Sequence, residues 1–300
     1  IKFFLNISKS EQKKRLDKLQ SSDITKWRVN KNDINSNKNY DRWQKWFGRM
    51  LSGSNTDYCP WNIVAADEML SSVYQIYSHT VSVLENAISG KTDRLPQFDT
   101  INPEKPQFPL IQMKKLSEYD LSKSFPENLY REELKSQQKL LSKLHNKCYI
   151  KRKPVIICYE GWDAGGKGGS IRRVTNALDP RGYEVVPISA PDSTALSKHY
   201  LWRFWENICK SGHITIFDRT WYGRVMVEKI EGFTPVARCS QAYQEINEFE
   251  KQLSDWGAVI IKFWMQIDKD EQARRFKARQ ENPKKQWKIT DEDWRNRDKW

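Results

Sequence analysis

CYEGWDAGGKGGSIRR, residues 158–173, decides the reading of this chain. A β-rich apolar run, Pro154-Val155-Ile156-Ile157-Cys158-Tyr159, leads into Gly161. Gly166 and Lys167 come next, and Ile171 to Leu178 then reads as a helix. Strand, glycine-rich loop, lysine and helix together make the layout of a phosphate-binding P-loop. Glycines let backbone N–H groups turn inward and approach phosphate oxygens. The helix points its positive N-terminal end at the same place. The alternative is a tightly packed βα turn that binds nothing.

The standard pattern has Ser or Thr after the lysine, whereas this chain has Gly168. Downstream, His213-Ile214-Thr215-Ile216-Phe217-Asp218-Arg219 is a second apolar β run that ends in an acid. A strand-terminal Asp of this kind holds Mg²⁺ beside the phosphates in P-loop enzymes. Asp163 lies inside the loop, so Asp163 and Asp218 are the candidate metal ligands. Together they replace the missing hydroxyl. Lys167, Arg219 and Arg224 are the candidate phosphate cations, since Arg suits bidentate contact with phosphate oxygens. With Asp163 and Asp218 they form the candidate catalytic set. Gly161, Gly165, Gly166 and Gly168 form the candidate phosphate cradle. Plainer roles exist for several of them: Asp163 as a loop cap, Asp218 as a helix cap, Arg219 and Arg224 as partners of Glu228.

GWDAGGKGGSIRR, HYLWRFWENICKSGHITIFDRTWYGRVMVEKIEGF and FWMQIDKDEQARRFKARQENPKKQWKI resemble the second family of polyphosphate kinases. The likeness runs, with gaps, from about Leu116 to Trp300. It implies an α/β, three-layer P-loop kinase-like fold with a mainly parallel sheet and a helical lid. It implies a phosphotransferase that moves phosphate between inorganic polyphosphate and nucleotides, with Mg²⁺ as cofactor. Asp163 then orients the acceptor phosphate through the metal. Arg275 and Arg279, four apart on one helical face, belong to a lid that closes over phosphates. Without the resemblance, that basic run reads as a solvated face. Three departures from the family pattern stand out: Gly165 for Ala, Thr220 for Ser, and Asp192-Ser193-Thr194 for a more acidic stretch.

The chain has 300 residues, 38% hydrophobic, with a formal net charge of +13. That surplus favours a polyanionic partner, whether nucleic acid, an anionic membrane or polyphosphate. No recognised nucleic-acid motif is present, and no apolar run is long enough to span a membrane. Five scattered cysteines read as reduced thiols of a cytoplasmic protein. The four histidines show no metal-ligand spacing. No signal peptide is visible, and the start at Ile1 rather than Met leaves the true N-terminus open.

Residues 1–40 align without gaps with 261–300. Ile1, Lys2, Phe3, Ile7, Glu11, Gln12, Arg15, Trp27 and Asp33 match Ile261, Lys262, Phe263, Ile267, Glu271, Gln272, Arg275, Trp287 and Asp293. So long a period signals domain duplication rather than a solenoid. Residues 1–95 then read as the C-terminal part of a first module, 96–110 as a Pro-rich linker, and 111–300 as a second, catalytic module that stops after its lid. Leu19 stands where the second module has Arg279, so the first module reads as degenerate. The resemblance adds that two-domain members typically phosphorylate AMP.

Strands are expected at 1–7, 61–66, 154–160, 184–189, 213–217 and 258–267. Helices are expected at 8–20, 37–52, 68–88 and 130–144, the last with Leu134, Leu140, Leu141 and Leu144 as its apolar stripe. His199 to Trp205 also reads as a helix. Strand 61–66 either completes the sheet of the second module or belongs to a separate partial domain. The function expected is transfer of phosphate from polyphosphate to AMP. ADP as acceptor, non-catalytic polyphosphate binding and an ATP-dependent metabolite kinase are the alternatives. Homo-oligomerisation is left open.

Overall fold

The computed structural model describes residues 1–89, 108–289 and 291–300. Most of the expected linker, 96–107, therefore lies outside the described residues. The chain divides into two compact units, Ile1–Gln97 and Phe98–Trp300.

In the first unit, β1 (Lys2–Asn6) is followed by α1 (Lys9–Gln20), α2 (Lys31–Lys38), α3 (Tyr40–Ser54), β2 (Trp61–Ala65) and α4 (Met69–Ile88). β1 and β2 pair in parallel, with Lys2 opposite Trp61. Successive strand side chains face opposite ways. Phe4 accordingly meets Phe47 of α3, and Phe3 meets His79 of α4, at ring distances of 5.3 and 5.7 Å. Helices thus cover both faces of the ribbon. Strand β2 pairs with β1 in a sheet of its own and does not complete the sheet of the second unit.

The second unit opens with α5 (Glu127–Ile150) and β3 (Val155–Gly161). Next come α6 (Lys167–Thr175), β4 (Tyr183–Pro187), and two single turns, α7 (Ser193–Leu196) and α8 (Trp202–Trp205). β5 (Ile214–Asp218) leads through a 3-10 turn, Trp221–Val225, to α9 (Val227–Ile230) and α10 (Val236–Asp255). β6 (Val259–Met265), α11 (Lys269–Gln280) and α12 (Asp291–Asn296) complete it. The sheet order is β4-β5-β3-β6, and every pair is parallel. Central β3 and β5 are buried over almost their whole length, as parallel strands covered on both faces must be.

Alternation along β3 divides the core. Ile156 and Cys158 join Phe217, Phe204, Trp221, Ile246, Phe249 and Leu253 on the α10 side. Val155, Ile157 and Tyr159 join Ile214, Ile216, Ile171 and Leu178 on the α6 side. The result is three layers, helix on sheet on helix. Among the described residues no helix is long and apolar enough to cross a membrane.

Two local expectations change. Leu140 and Leu144 are exposed, and α5 packs through Leu141, His145 and Cys148 instead. Helical spacing from 141 runs to 145 and 148, which turns 140 and 144 outward. His199 to Trp205 yields only the turn α8, because Phe204 is pinned edge-on against Phe217 and Trp221 at 5.8 and 5.6 Å.

Candidate active site

Tyr159 of β3 lies opposite Asp218 of β5, so both strands end at one edge of the sheet, where open α/β sheets bind ligands. The loop starts at Gly161. Its φ is 129°, and a Cβ there would lie 2.5 Å from the carbonyl oxygen of Met265 on β6. No other residue fits that crossing. Gly166, at φ 108°, turns the chain into α6, whose first residue is Lys167. Between them Ala164 is buried at φ 60°, a left-handed conformation unusual for a residue with a side chain. The expected helix start at Ile171 is thus one turn late. Glycines discourage a helix on propensity, yet Gly168 and Gly169 occupy the first turn, whose N–H groups have no intrahelical acceptor.

Lys167 folds back onto the loop. Its Nζ donates to the carbonyls of Gly161 at 2.6 Å and Trp162 at 3.1 Å. Burial pushes its amine below the usual lysine range; the carboxylates of Asp163, Glu160 and Asp218 oppose that shift, and Arg219 adds to it. The five groups therefore share one electrostatic neighbourhood. Arg219 Nη2 reaches Asp163 Oδ1 at 3.1 Å, and its own N–H donates to the Tyr159 carbonyl at 3.0 Å. Arg219 also sits at φ 67°, which makes it a second strained residue at this edge.

Glu160 was not singled out from the sequence. Its Oε1 accepts both the N–H and the hydroxyl of Thr220, each at 2.7 Å. This bond ties the end of β3 to the turn after β5. Burial raises the Glu160 carboxyl above the ordinary value, partly offset by Thr220 and then by Lys167 and Arg219.

The helical lid is α11. Asp268 caps it by accepting the Glu271 N–H at 2.7 Å. Glu271 is held at about 2 by hydrogen bonds from Arg274 and then Arg275. Arg275 Nη1 also donates to the Ala164 carbonyl at 2.9 Å, which joins lid to loop. Arg279 lies half-buried one turn farther along the helix.

Arg224 is placed differently. Its guanidinium donates to Glu228 Oε2 at 2.6 Å and to the Thr234 hydroxyl, and stacks over Tyr200 at 4.3 Å. Its carrier turn is braced by Glu250, which accepts from Trp221 Nε1 at 3.1 Å, the Tyr222 hydroxyl at 2.7 Å and Lys262 at 2.7 Å. Burial pushes the Tyr222 hydroxyl up to about 12. The loop, Asp163, Lys167, Asp218, Arg219 and Arg275 thus converge, while Arg224 is held in the adjoining cluster.

Among the described residues no group of three or more His, Cys, Asp and Glu forms a metal cage. Asp163 and Asp218 both act electrostatically on the Lys167 amine and offer only hard oxygen donors. One or two carboxylates with substrate phosphates and water is how Mg²⁺ is commonly held. The residues present therefore fit that ion. Gly166 and Gly168 are exposed, and the cleft of the same unit that His199, Trp205 and Phe249 line does not include the loop.

Fold and site define a three-layer α/β protein with a glycine-rich loop at the carboxyl edge of its parallel sheet and an arginine-bearing helix bonded to that loop. The chain belongs to the polyphosphate kinase 2 family, whose model matches residues 1–91 and 124–300. It is 40% identical over its whole length to a polyphosphate:AMP phosphotransferase of Pseudomonas aeruginosa, and 40% identical to one of Acinetobacter johnsonii. It spans 60% and 59% of those two relatives. A crystal structure of a polyphosphate kinase 2 from Pseudomonas aeruginosa PA01 matches 99% of this chain and 57% of its own, with TM-score 0.77 and 37% identity. That of Arthrobacter aurescens TC1 polyphosphate kinase 2 matches 64% of this chain and 71% of its own, with TM-score 0.61 and 28% identity.

Proposed function

We propose that this chain transfers phosphate from inorganic polyphosphate to a nucleoside monophosphate, with AMP as acceptor and ADP as product. The observation that carries this reading is Lys167 bonded to the Gly161 and Trp162 carbonyls of a glycine-rich loop, with Asp163 in that loop paired to Arg219 and Asp218 ending the neighbouring strand, in a chain of this family. Relatives matched over the full chain are named for AMP.

Phosphoryl transfer rests on positioning and charge neutralisation more than on covalent chemistry. The donor lies along the open loop. Exposed N–H groups at the start of α6 and the Lys167 amine hold the transferring phosphoryl group. Lys167 exchanges its two loop carbonyls for phosphate oxygens. Arg219 stabilises charge on the same group from the Asp163 side. Asp163 and Asp218 would hold Mg²⁺, which would supply charge neutralisation on the substrate phosphates. Arg275 and Arg279 close over the donor from the lid. Arg224 exchanges Glu228 for a substrate phosphate. The acceptor phosphate is already ionised, so no strong general base is needed.

ADP as acceptor is the second reading. It is favoured by a 37% identical ADP-polyphosphate phosphotransferase that matches 57% of this chain. The first unit is assigned as the C-terminal part of a degenerate kinase-like module, since Leu19 replaces the second lid arginine. Its Arg15 bonds the carbonyls of Ala66 and Asp67. The free thiols fit a cytoplasmic setting. The deciding experiment incubates the protein with polyphosphate, Mg²⁺ and each of AMP, ADP, GMP and GDP. ADP formed from AMP is the expected product. Turnover with ATP but not polyphosphate as donor would overturn the reading.

A further inference from the structure

Gln272 lies on the lid helix and is only 4% exposed, yet half of its amide is idle. Nε2 donates to the Asp163 carbonyl at 3.1 Å, while Oε1, fully buried, has no hydrogen-bond partner. One turn along the same face, Arg275 donates to the Ala164 carbonyl at 2.9 Å. Two side chains of one helix therefore grip two successive carbonyls of the phosphate loop.

The internal repeat shows what this glutamine does elsewhere. Gln12 is its counterpart, and Gln12 Oε1 accepts from Asn37 Nδ2 at 2.9 Å. Asn37 also donates to the Lys9 carbonyl at 2.9 Å. In the second unit Arg297 occupies the place of Asn37 and still donates to the equivalent Lys269 carbonyl at 3.0 Å. Its Nε and Gln272 Oε1 are both left without partners. The helix-to-helix bond of the first unit is absent here, and the loop carbonyl is the amide's remaining partner. A buried amide with an unsatisfied oxygen is costly, so its surviving bond is where its contribution lies.

A trans peptide is planar, with C=O and N–H pointing opposite ways. Fixing the Asp163 carbonyl against the lid aims the Ala164 N–H away from the lid. Fixing the Ala164 carbonyl does the same for the Gly165 N–H, which closes the turn on the Trp162 carbonyl at 2.9 Å. Ala164 is the residue held at φ 60°, so the grip falls where the loop is strained.

We propose that Gln272 is a positioning residue that, together with Arg275, latches the lid helix to the Asp163–Ala164 peptides and holds the phosphate loop in its binding shape. Its bearing on catalysis rests on the function proposed above. Lid and loop then order together, and loss of the latch weakens donor binding before it slows transfer.

The test is Gln272→Met, which keeps volume and removes the donor. Two measurements are made on the whole chain. The first is hydrogen–deuterium exchange of amides 163–168 without substrate. Exchange at Gly165 is expected to rise by about tenfold, the equivalent of one hydrogen bond, with strands 155–160 and 214–218 unchanged. The second is steady-state kinetics, where KM for polyphosphate rises by about tenfold with a smaller change in kcat. Unchanged loop exchange overturns the latch. Faster exchange with an unaltered KM overturns its role in donor binding. Failure of the wild-type protein to use polyphosphate would sink the proposed function, and the exchange arm would still decide the latch. If Gln272→Met does not fold, Gln272→Glu carries the same measurements, because it keeps the length but faces the Asp163 carbonyl with an acceptor.

Discussion

Glu160 Oε1 takes both hydrogen bonds that Thr220 can give it, from the backbone and from the hydroxyl, at 2.7 Å each. The pair joins the last turn of β3 to the turn that carries Arg219 and Arg224. It also places a carboxylate beside Lys167 that need not touch substrate.

That carboxylate has a pH signature. Its folded-state pKa lies above the ordinary 4.5, chiefly through burial. A group raised on folding contributes stability that is fully present below the unfolded value and is lost as pH rises through the folded value. Gln keeps the acceptor oxygen and cannot ionise. Subtracting the melting temperatures of Glu160→Gln from those of wild type should give a difference that moves against wild type as pH rises from 4.5. A difference that stays independent of pH as pH rises from 4.5 would show that Glu160 is not buried as described.

Much of the fold is written in the sequence because parallel strands announce themselves. Val155 to Tyr159 and Ile214 to Phe217 are β-rich runs, apolar but for Thr215, and lead to Gly161 and Asp218. The site is legible for the same reason, since Gly161 and Asp218 end strands and Lys167 opens the helix that follows the first of them. Glu160 and Gln272 escape notice because a single polar residue has no period. Their meaning comes from which carbonyl or hydroxyl lies opposite, and only folding decides that. Gln272 did leave a trace in its identity with Gln12. Arg224 is the reverse case. Its position beside Arg219 in the sequence reads as a phosphate cation or as a partner of Glu228, and in the structure it is paired with Glu228 at 2.6 Å.

Lys167→Ala should abolish turnover and leave the fold intact. Removing the charge from the transferring phosphoryl group should cost on the order of 3 kcal/mol or more, which is 100-fold or more in rate. Stability should barely fall, because in the free protein the half-buried amine bonds only the Gly161 and Trp162 carbonyls. A rate above one tenth of wild type in a folded variant (about 1.4 kcal/mol) would remove the loop lysine from the mechanism.

Asp163→Asn and Asp218→Asn should each raise the Mg²⁺ concentration needed for half-maximal activity. Asn keeps the shape but withdraws the charge a hard cation prefers. The two should differ in a second way. Asp163→Asn also releases Arg219, whose bond to Asp163 Oδ1 is 3.1 Å long, so its loss should persist at saturating metal. Asp218→Asn should recover further as Mg²⁺ is raised. Metal titrations that superimpose on wild type for both variants would place the ion on other residues.

Polyphosphate binding should weaken steeply with salt. The chain carries a net charge of +13, and Gly166, Gly168 and Gly169 at the start of α6 are exposed. A polyanion that meets such a surface releases counterions on binding, so the logarithm of affinity falls linearly with the logarithm of salt concentration. The slope should drop by about one unit in Arg279→Gln, which removes one phosphate-facing cation. The core of β3 and β5 is distant from this exchange, and the melting temperature of that variant should stay near wild type. An affinity flat between low and high salt would mean that the donor is gripped by a few enclosed contacts, and would favour a small phosphate donor over a long chain.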